Sequence, residues 1–535
     1  MALDTFDYVV IGGGAAGCIV AARLAEKGAT VCLLEAGPRD SHPYFHIPAG
    51  FIRGIQNPYT TWGFVSEASE GTAGRRLSEI QARVLGGGGS INGMIFSRGQ
   101  AADFNAWAQA GNHGWGFDDV LPYFKRIEKT LAPLNGDLRG RSGPIPVAEL
   151  NWTDPLSEAF MRGAHECGLP YVSDYNSGKQ FGVAAHQVTI ARGWRRSSAR
   201  QYLYPAMKRH NIDVRTQAFA TRILFDDLRA SGVTYLRHGK PSEENVTARR
   251  EIIVCAGAIN TPKLLQISGI GRASHLQNLG VQVLCDLPAG EHLKNHFSVK
   301  LVARVQNCIT LNEHARGLRL GVQVARWLLG KPSILALPPV TILASAKSDP
   351  IYEDSDFQCV FAPGSSREGT FGLLDTFSGA TVGVRQNRPE STGYVRAHSQ
   401  DSHDPPIIQP NYLATQKDQQ VVISGIKFAR NILHSHAMRS YFAQEIAPGE
   451  EAITDDQILN FAQCEGTSGL HFTSSARMGP HSDGSSVVDN YLRVHRTTGL
   501  RIADASIMPD IPSANTYAAT MMIAEKASDL ILGEN

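Results

Sequence analysis

The sequence predicts an α/β fold, α+β overall, in which a parallel sheet assembled from distant segments is interrupted by an antiparallel one. Three apolar strands predict the parallel sheet. The first, Asp7-Tyr-Val-Val-Ile11, runs into glycines, a helical stretch Ala15–Lys27 and then Val31-Cys-Leu-Leu-Glu35, a βαβ unit of about 30 residues. The second is Glu251-Ile-Ile-Val-Cys255, followed by Ala256-Gly257. The third is Leu500-Arg-Ile-Ala-Asp504, ahead of a final helix from about Ala518 to Leu532. Strands of this kind belong in a sheet covered on both faces. The long stretches between them carry heavy Pro and Gly punctuation and shorter runs such as Phe357-Gln-Cys-Val-Phe361 and Gly393-Tyr-Val-Arg-Ala-His398, which fit antiparallel strands.

At 535 residues the chain exceeds a single hydrophobic core, which stops growing near 250–300 residues. The expected division is a discontinuous, Rossmann-like nucleotide domain from residues 1–150, 216–297 and 466–535, with a substrate-binding domain from 151–215 and 298–465 inserted into it.

Composition excludes several classes of function. A formal net charge of +1, with Lys and Arg scattered along the chain, gives no field to attract nucleic acid or an anionic membrane. Eight cysteines in so long a chain, with no Cys-x-x-Cys spacing, are not a disulfide framework and point to a reducing compartment. The N-terminus is acidic where a secretory signal is basic. The longest mostly apolar stretch, Ile334 to Ala346, contains two prolines and falls short of the ~20 residues of a membrane helix. These features predict a cytoplasmic protein without membrane insertion.

Gly12-Gly13-Gly14-Ala15-Ala16-Gly17 is a G-x-G-x-x-G directly after a strand and opening a helix. In such a turn Gly12 permits the tight bend, Gly14 lets backbone approach a pyrophosphate, and Gly17 lets helix and strand pack closely. The free N–H groups at the helix start, from Ala15 and Ala16 onward, face the phosphates. Glu35 ends the next strand, followed by Ala36, where a carboxylate accepts from ribose hydroxyls and disfavours a 2′-phosphate. The motif predicts dinucleotide binding without separating FAD from NAD.

Two longer stretches make that separation. Ala82-Arg-Val-Leu-Gly-Gly-Gly-Gly-Ser-Ile-Asn92-Gly-Met-Ile-Phe-Ser-Arg98-Gly99 resembles the first signature of the glucose–methanol–choline (GMC) oxidoreductases, and Gly257-Ala-Ile-Asn-Thr-Pro-Lys-Leu-Leu-Gln-Ile-Ser-Gly-Ile-Gly271 resembles the second. The stretches His471-Phe-Thr-Ser-Ser-Ala-Arg-Met-Gly479 and Ala503-Asp-Ala-Ser-Ile-Met-Pro509 are similar to that family's catalytic and flavin-proximal segments. The resemblance implies an FAD-binding Rossmann-like domain and oxidation of a small-molecule alcohol, with O₂ or a quinone-type compound as electron acceptor. It places Gly86, Gly87 and Gly89 against the flavin, with Asn92, Gly93, Met94 and Ile95 near its ring system. Ala220 falls at the adenine side, Asp504 and Ala505 near the ribityl–pyrophosphate, and Ala256 and Gly257 at the second signature. Members that attach FAD covalently carry His near the Asn92 position, so the resemblance implies noncovalent FAD here. It implies no metal.

Alcohol oxidation by a flavin needs a group that takes the hydroxyl proton while hydride leaves carbon. Neutral imidazole suits that task, and His471 matches the family's catalytic histidine. The family follows that histidine with Pro and, later, Gly-Thr, where this chain has Phe472, Ser474 and Ser475. It also places a second His or Asn beside the base, in an Asn-x-Asn pattern before the final helix. The corresponding stretch is Ser513-Ala-Asn515-Thr-Tyr517-Ala, which puts Tyr517 at the partner position and Asn515 at the other asparagine. A phenol donates one hydrogen bond, as an amide does; Tyr517 either does so or fills the pocket.

The resemblance leaves three functions open: an alcohol oxidase or dehydrogenase, a flavin-retaining lyase of hydroxynitrile-lyase type, and a catalytically silent flavoprotein. Tyr517 and Phe472 lean toward an aromatic or planar primary alcohol. Oligomeric state is not legible.

Overall fold

A computed structural model describes residues 4–131, 137–366 and 373–533. The first strand, Thr5–Ile11, lies parallel between Val31–Glu35 and Glu244–Val254, and Ile212–Thr216 extends the sheet beyond Val31–Glu35. Glu244–Val254 is shared lengthwise. Its first half pairs antiparallel with the hairpin Ala218–Asp226/Arg229–Arg237, and its second half pairs parallel with Leu500–Ile502. The three apolar strands read from the sequence are therefore neighbours, with Ile252 opposite Leu500 and Val9 opposite Ile252. Val9, Val10, Cys32, Leu33, Ile252, Ile253 and Ile502 are fully buried, as continuous apolar runs require. The first helix, Gly17–Glu26, packs against the last, Thr516–Leu532.

A second sheet is antiparallel throughout, in the order Phe442–Ala447, Phe297–Val305, Gly379–Gln386, Phe357–Ala362, Ile342–Ala346, Gly182–Ala185. Its period of two separates two environments. Phe297, Val299, Leu301 and Ala303 point into a core with Phe160, Val422 and Ile426, from the helices Pro155–Glu166 and Gln416–Leu433. The alternate residues Ser298 and Lys300 line a cleft toward the first sheet.

Two segments fall differently from the expected division. Ile212–Thr216 joins the first sheet, and the short strand Thr467–Ser468 joins the second through Phe297–Val305. Tyr394–Arg396 pairs with Ile407–Gln409 in a hairpin outside both large sheets. Among the described residues all eight cysteines are free thiols, and no helix is long and apolar enough to cross a membrane.

Candidate active site

The glycine turn is built by contacts that exclude side chains. Gly12 has φ +100°, and a Cβ there would stand 2.4 Å from the carbonyl oxygen of Cys255; a Cβ on Gly17 would stand 1.9 Å from the Gly12 carbonyl oxygen. These close approaches pull the helix start onto the sheet edge. The second glycine run meets the first: a Cβ on Gly87, at φ +54°, would lie 2.6 Å from the Gly14 Cα. Glu35 braces the turn, its two carboxylate oxygens accepting from the N–H groups of Gly13 (2.8 Å) and Gly37 (2.7 Å). Each oxygen keeps a lone pair for a further donor.

From this turn one continuous cleft, with about 500 Å³ of internal space, runs to the second sheet. Gly12, Gly14, Ala15, Ala16, Glu35, Ala36, Gly87, Asn92, Gly93, Met94, Ile95, Ala220, Ala256, Gly257, Asp504, Ala505, His471 and Tyr517 all line it. Gly17, Gly86 and Gly89 do not. Gly86 and Gly89 are required by the protein's own packing, because a Cβ would come within 2.3 Å of Ser90 Oγ and 2.5 Å of the Tyr517 hydroxyl respectively. Gly88, which the sequence did not single out from its run, is the open one: it lines the cleft with nothing within 4 Å of its missing Cβ. Asn92 is fixed by two donors to its Oδ1, the Met94 N–H (3.0 Å) and Arg195 Nη1 (2.8 Å). Asp504 accepts from the Gly257 N–H (2.8 Å), the Thr261 hydroxyl (2.6 Å) and the Ser506 N–H (2.8 Å), tying the second signature to the segment around Asp504. Trp62 and Phe219 also line the nucleotide end, and His186, Lys300 and Arg385 the other.

His471 stands where the two sheets meet. Its backbone N–H donates to Asn295 Oδ1 (2.7 Å), and the Asn295 amide donates in turn to Tyr412 and Ser468. The ring is held at both nitrogens: Nδ1 lies 3.0 Å from His296 Nδ1, and Nε2 lies 3.0 Å from Asn515 Nδ2. Proton positions follow by elimination. His296 Nε2 is 3.0 Å from the Asn387 carbonyl oxygen, which only accepts, so Nε2 carries the hydrogen. Burial, then the nearby Arg385 charge, holds the His296 pKa well below the usual histidine value, so its Nδ1 is a bare acceptor. His471 must then donate from Nδ1, which leaves its Nε2 lone pair toward Asn515 and the cleft. Burial, Arg385 and His296 hold the His471 pKa well below 6.5 as well. The arrangement presents a neutral imidazole with its basic nitrogen already aimed.

Tyr517 is not the partner of His471; Asn515 is. Asn515 caps the last helix in extended backbone (φ −61°, ψ 134°), and its amide reaches the imidazole. Two residues on, inside the first helical turn, Tyr517 points instead at Gly89, and its hydroxyl accepts from the Ser198 backbone N–H (3.0 Å). Burial pushes its pKa up to about 12. Tyr517→Phe is therefore expected to strand the Ser198 donor and lower unfolding free energy by about 1–3 kcal/mol in urea melts. The change in kcat/KM should be the smaller effect; a variant of wild-type stability that loses its turnover would return Tyr517 to the substrate.

The GMC oxidoreductase family models match residues 6–298 and 389–524. The chain is 34% identical over 533 residues to an alcohol dehydrogenase [acceptor] of Pseudomonas putida, covering 98% of this chain and 96% of that one. It is 36% identical over 531 residues to an oxygen-dependent choline dehydrogenase of Rhizobium etli, covering 99% and 96%. Among solved structures, pyridoxine 4-oxidase from Mesorbium loti superposes with a TM-score of 0.88 at 28% identity over 98% of each chain. Formate oxidase of Aspergillus oryzae, at 24% identity and a TM-score of 0.92 over 100% of this chain and 99% of that one, shares the fold. The glycine turn, the cleft between the two sheets and matches spanning both halves lead to one assignment: the chain belongs to the GMC oxidoreductases and is an FAD-dependent oxidoreductase of alcohol substrates.

Proposed function

We propose that this chain oxidises an alcohol to an aldehyde or ketone, with His471 taking the hydroxyl proton at Nε2. The observation that carries this is the hydrogen-bonded line Asn387 carbonyl–His296–His471–Asn515, which leaves one basic nitrogen facing the cleft. A substrate hydroxyl donating to Nε2 displaces the Asn515 amide, which then donates to the reacting oxygen as charge develops on it.

The residues present fit FAD. The open Gly88 and the Gly14–Gly87 approach form a backbone cradle that side chains would fill. The N–H groups at the start of the Gly17–Glu26 helix would hold the pyrophosphate and Glu35 the ribose, with Phe219 and Trp62 as aromatic surfaces beside Ala220. Bound FAD supplies the hydride acceptor. Asn92 offers no nucleophile, its carbonyl being held by Arg195 and Met94, which supports a noncovalent cofactor. Acid precipitation of the purified protein should therefore release its FAD into the supernatant; flavin retained in the pellet would exclude this. Free thiols throughout support a reducing, cytoplasmic setting. O₂ or a quinone-type compound completes the cycle. Anaerobic mixing with a panel of alcohols tests the activity itself, since oxidation bleaches the flavin and lyase chemistry does not.

A further inference from the structure

The far end of the cleft has a charge of its own. On the second sheet, Arg385 lies directly opposite Ser298, and Lys300 is two residues further along the same strand, so all three belong to the cleft face. His186 joins them from just beyond the Gly182–Ala185 strand. Arg385 is 7% exposed; its Nη2 donates to Gln358 Oε1, and its Nε–H has no acceptor. Among the described residues no carboxylate forms an ion pair with it, and burial alone draws its pKa down, to about 10, which leaves it cationic at neutral pH. His186 is 3% exposed, neither ring nitrogen has a partner, and burial lowers its pKa to about 3, so the neutral ring has one N–H to give.

A buried guanidinium with an unmet Nε–H and no counter-charge, and a buried imidazole with no partner at either nitrogen, are costly unless a ligand supplies acceptors. The cleft lining brings no carboxylate to them. Its two carboxylates, Glu35 and Asp504, stand at the nucleotide end and are bonded to backbone N–H groups there. A quaternary ammonium would meet Arg385 with no carboxylate of the cleft lining beside it. A planar carboxylate matches the guanidinium edge and accepts from several donors at once.

We propose that Arg385 and His186, with Lys300 beside them, form a subsite for the carboxylate of the substrate, so that the preferred alcohol is a hydroxy acid rather than a neutral or cationic alcohol. This rests on the alcohol-oxidation reading and narrows it. The carboxylate is bound and unchanged by the reaction. At the carbinol, hydride leaves for the flavin, the hydroxyl proton passes to His471, and an aldehyde acid remains.

The test compares 4-(hydroxymethyl)benzoate and 3-(hydroxymethyl)benzoate with benzyl alcohol and choline, by anaerobic flavin reduction in the wild-type holoenzyme and in Arg385→Gln. At least one of the acids should exceed benzyl alcohol in kcat/KM by about tenfold or more, and choline should be the poorest. In Arg385→Gln the ratio of acid to benzyl alcohol should fall by about thirtyfold, the scale of losing one member of a buried charge pair. Benzoate should inhibit the wild type competitively and benzamide should not, a readout that needs no variant. Faster reduction by benzyl alcohol or choline, equal losses on acid and neutral alcohol in Arg385→Gln, or equal inhibition by benzoate and benzamide would each overturn the carboxylate subsite and leave alcohol oxidation standing. A flavin that none of these alcohols reduces would overturn alcohol oxidation, and the subsite with it.

Discussion

Replacing His471 by alanine is expected to slow flavin reduction by about 10²–10⁴-fold, the contribution of a positioned general base. FAD content should change little, because the ring faces the cleft between Asn515 and His296 rather than the glycine turns. The pH dependence has a definite sign. A base works when deprotonated, and burial together with Arg385 holds His471 well below the ordinary histidine value. In the wild type kcat/KM should therefore be flat from about pH 6 upward and fall only in more acid solution. Stopped-flow reduction across pH checks both statements. A near-normal rate in His471→Ala, or a wild-type profile that rises through pH 7, would remove His471 from the role of base.

Replacing His296 by leucine should be the next most damaging change, at about 10²-fold in the reduction rate. His296 is fully buried and does not line the cleft, so on the proposed mechanism it positions a proton. With its Nδ1 gone, His471 loses the acceptor that fixes hydrogen on its own Nδ1, and the tautomer with hydrogen on Nε2 becomes available, which is useless as a base. His296→Gln restores a carbonyl acceptor of similar reach and should recover much of the loss, although its flexible chain holds that acceptor less rigidly than the ring does. A purely structural role would show the two variants equally impaired and would leave the pH profile of the residual activity unmoved.

Much of this site was legible because its signals are local. Gly12 and Gly17 are dictated by contacts within a single strand–turn–helix unit, so their spacing carried the meaning. His471 was reached through the segment around it, since a histidine alone says nothing about its surroundings. The cationic end was not legible. Lys300 and Arg385 sit at alternate positions of ordinary β-strands, and a strand with one apolar and one polar face reads the same whether the polar face meets water or a cleft. Their proximity depends on the pairing of strands some 80 residues apart, which periodicity does not encode. Asn515 and Tyr517 were assigned to each other's places for a related reason. Counting positions back from Thr-Met-Met-Ile treats the backbone as uniform, but the helix begins between the two residues, at Thr516. A change from extended cap to helical turn sends adjacent side chains in different directions. Gly86 and Gly89 show the converse: glycines expected against the cofactor are glycines because Ser90 and Tyr517 leave no room.

The shared strand Glu244–Val254 also bears on how the chain folds. Its parallel partners, Thr5–Ile11 on one side and Leu500–Ile502 on the other, lie far from it along the chain in opposite directions. Parallel pairing across such separations is slow, since loop closure must precede any gain from the contact. Asp504 accepts from the Gly257 N–H across that strand junction, and the Thr516–Leu532 helix packs on the first one. Until Leu500–Ile502 pairs, the second half of Glu244–Val254 leaves an apolar edge open, and flavin capture is expected to follow that pairing. Nascent chains stalled before residue 500 should bind chaperones and no flavin, and the supply of FAD during expression should set the yield of folded protein more strongly than its later stability does.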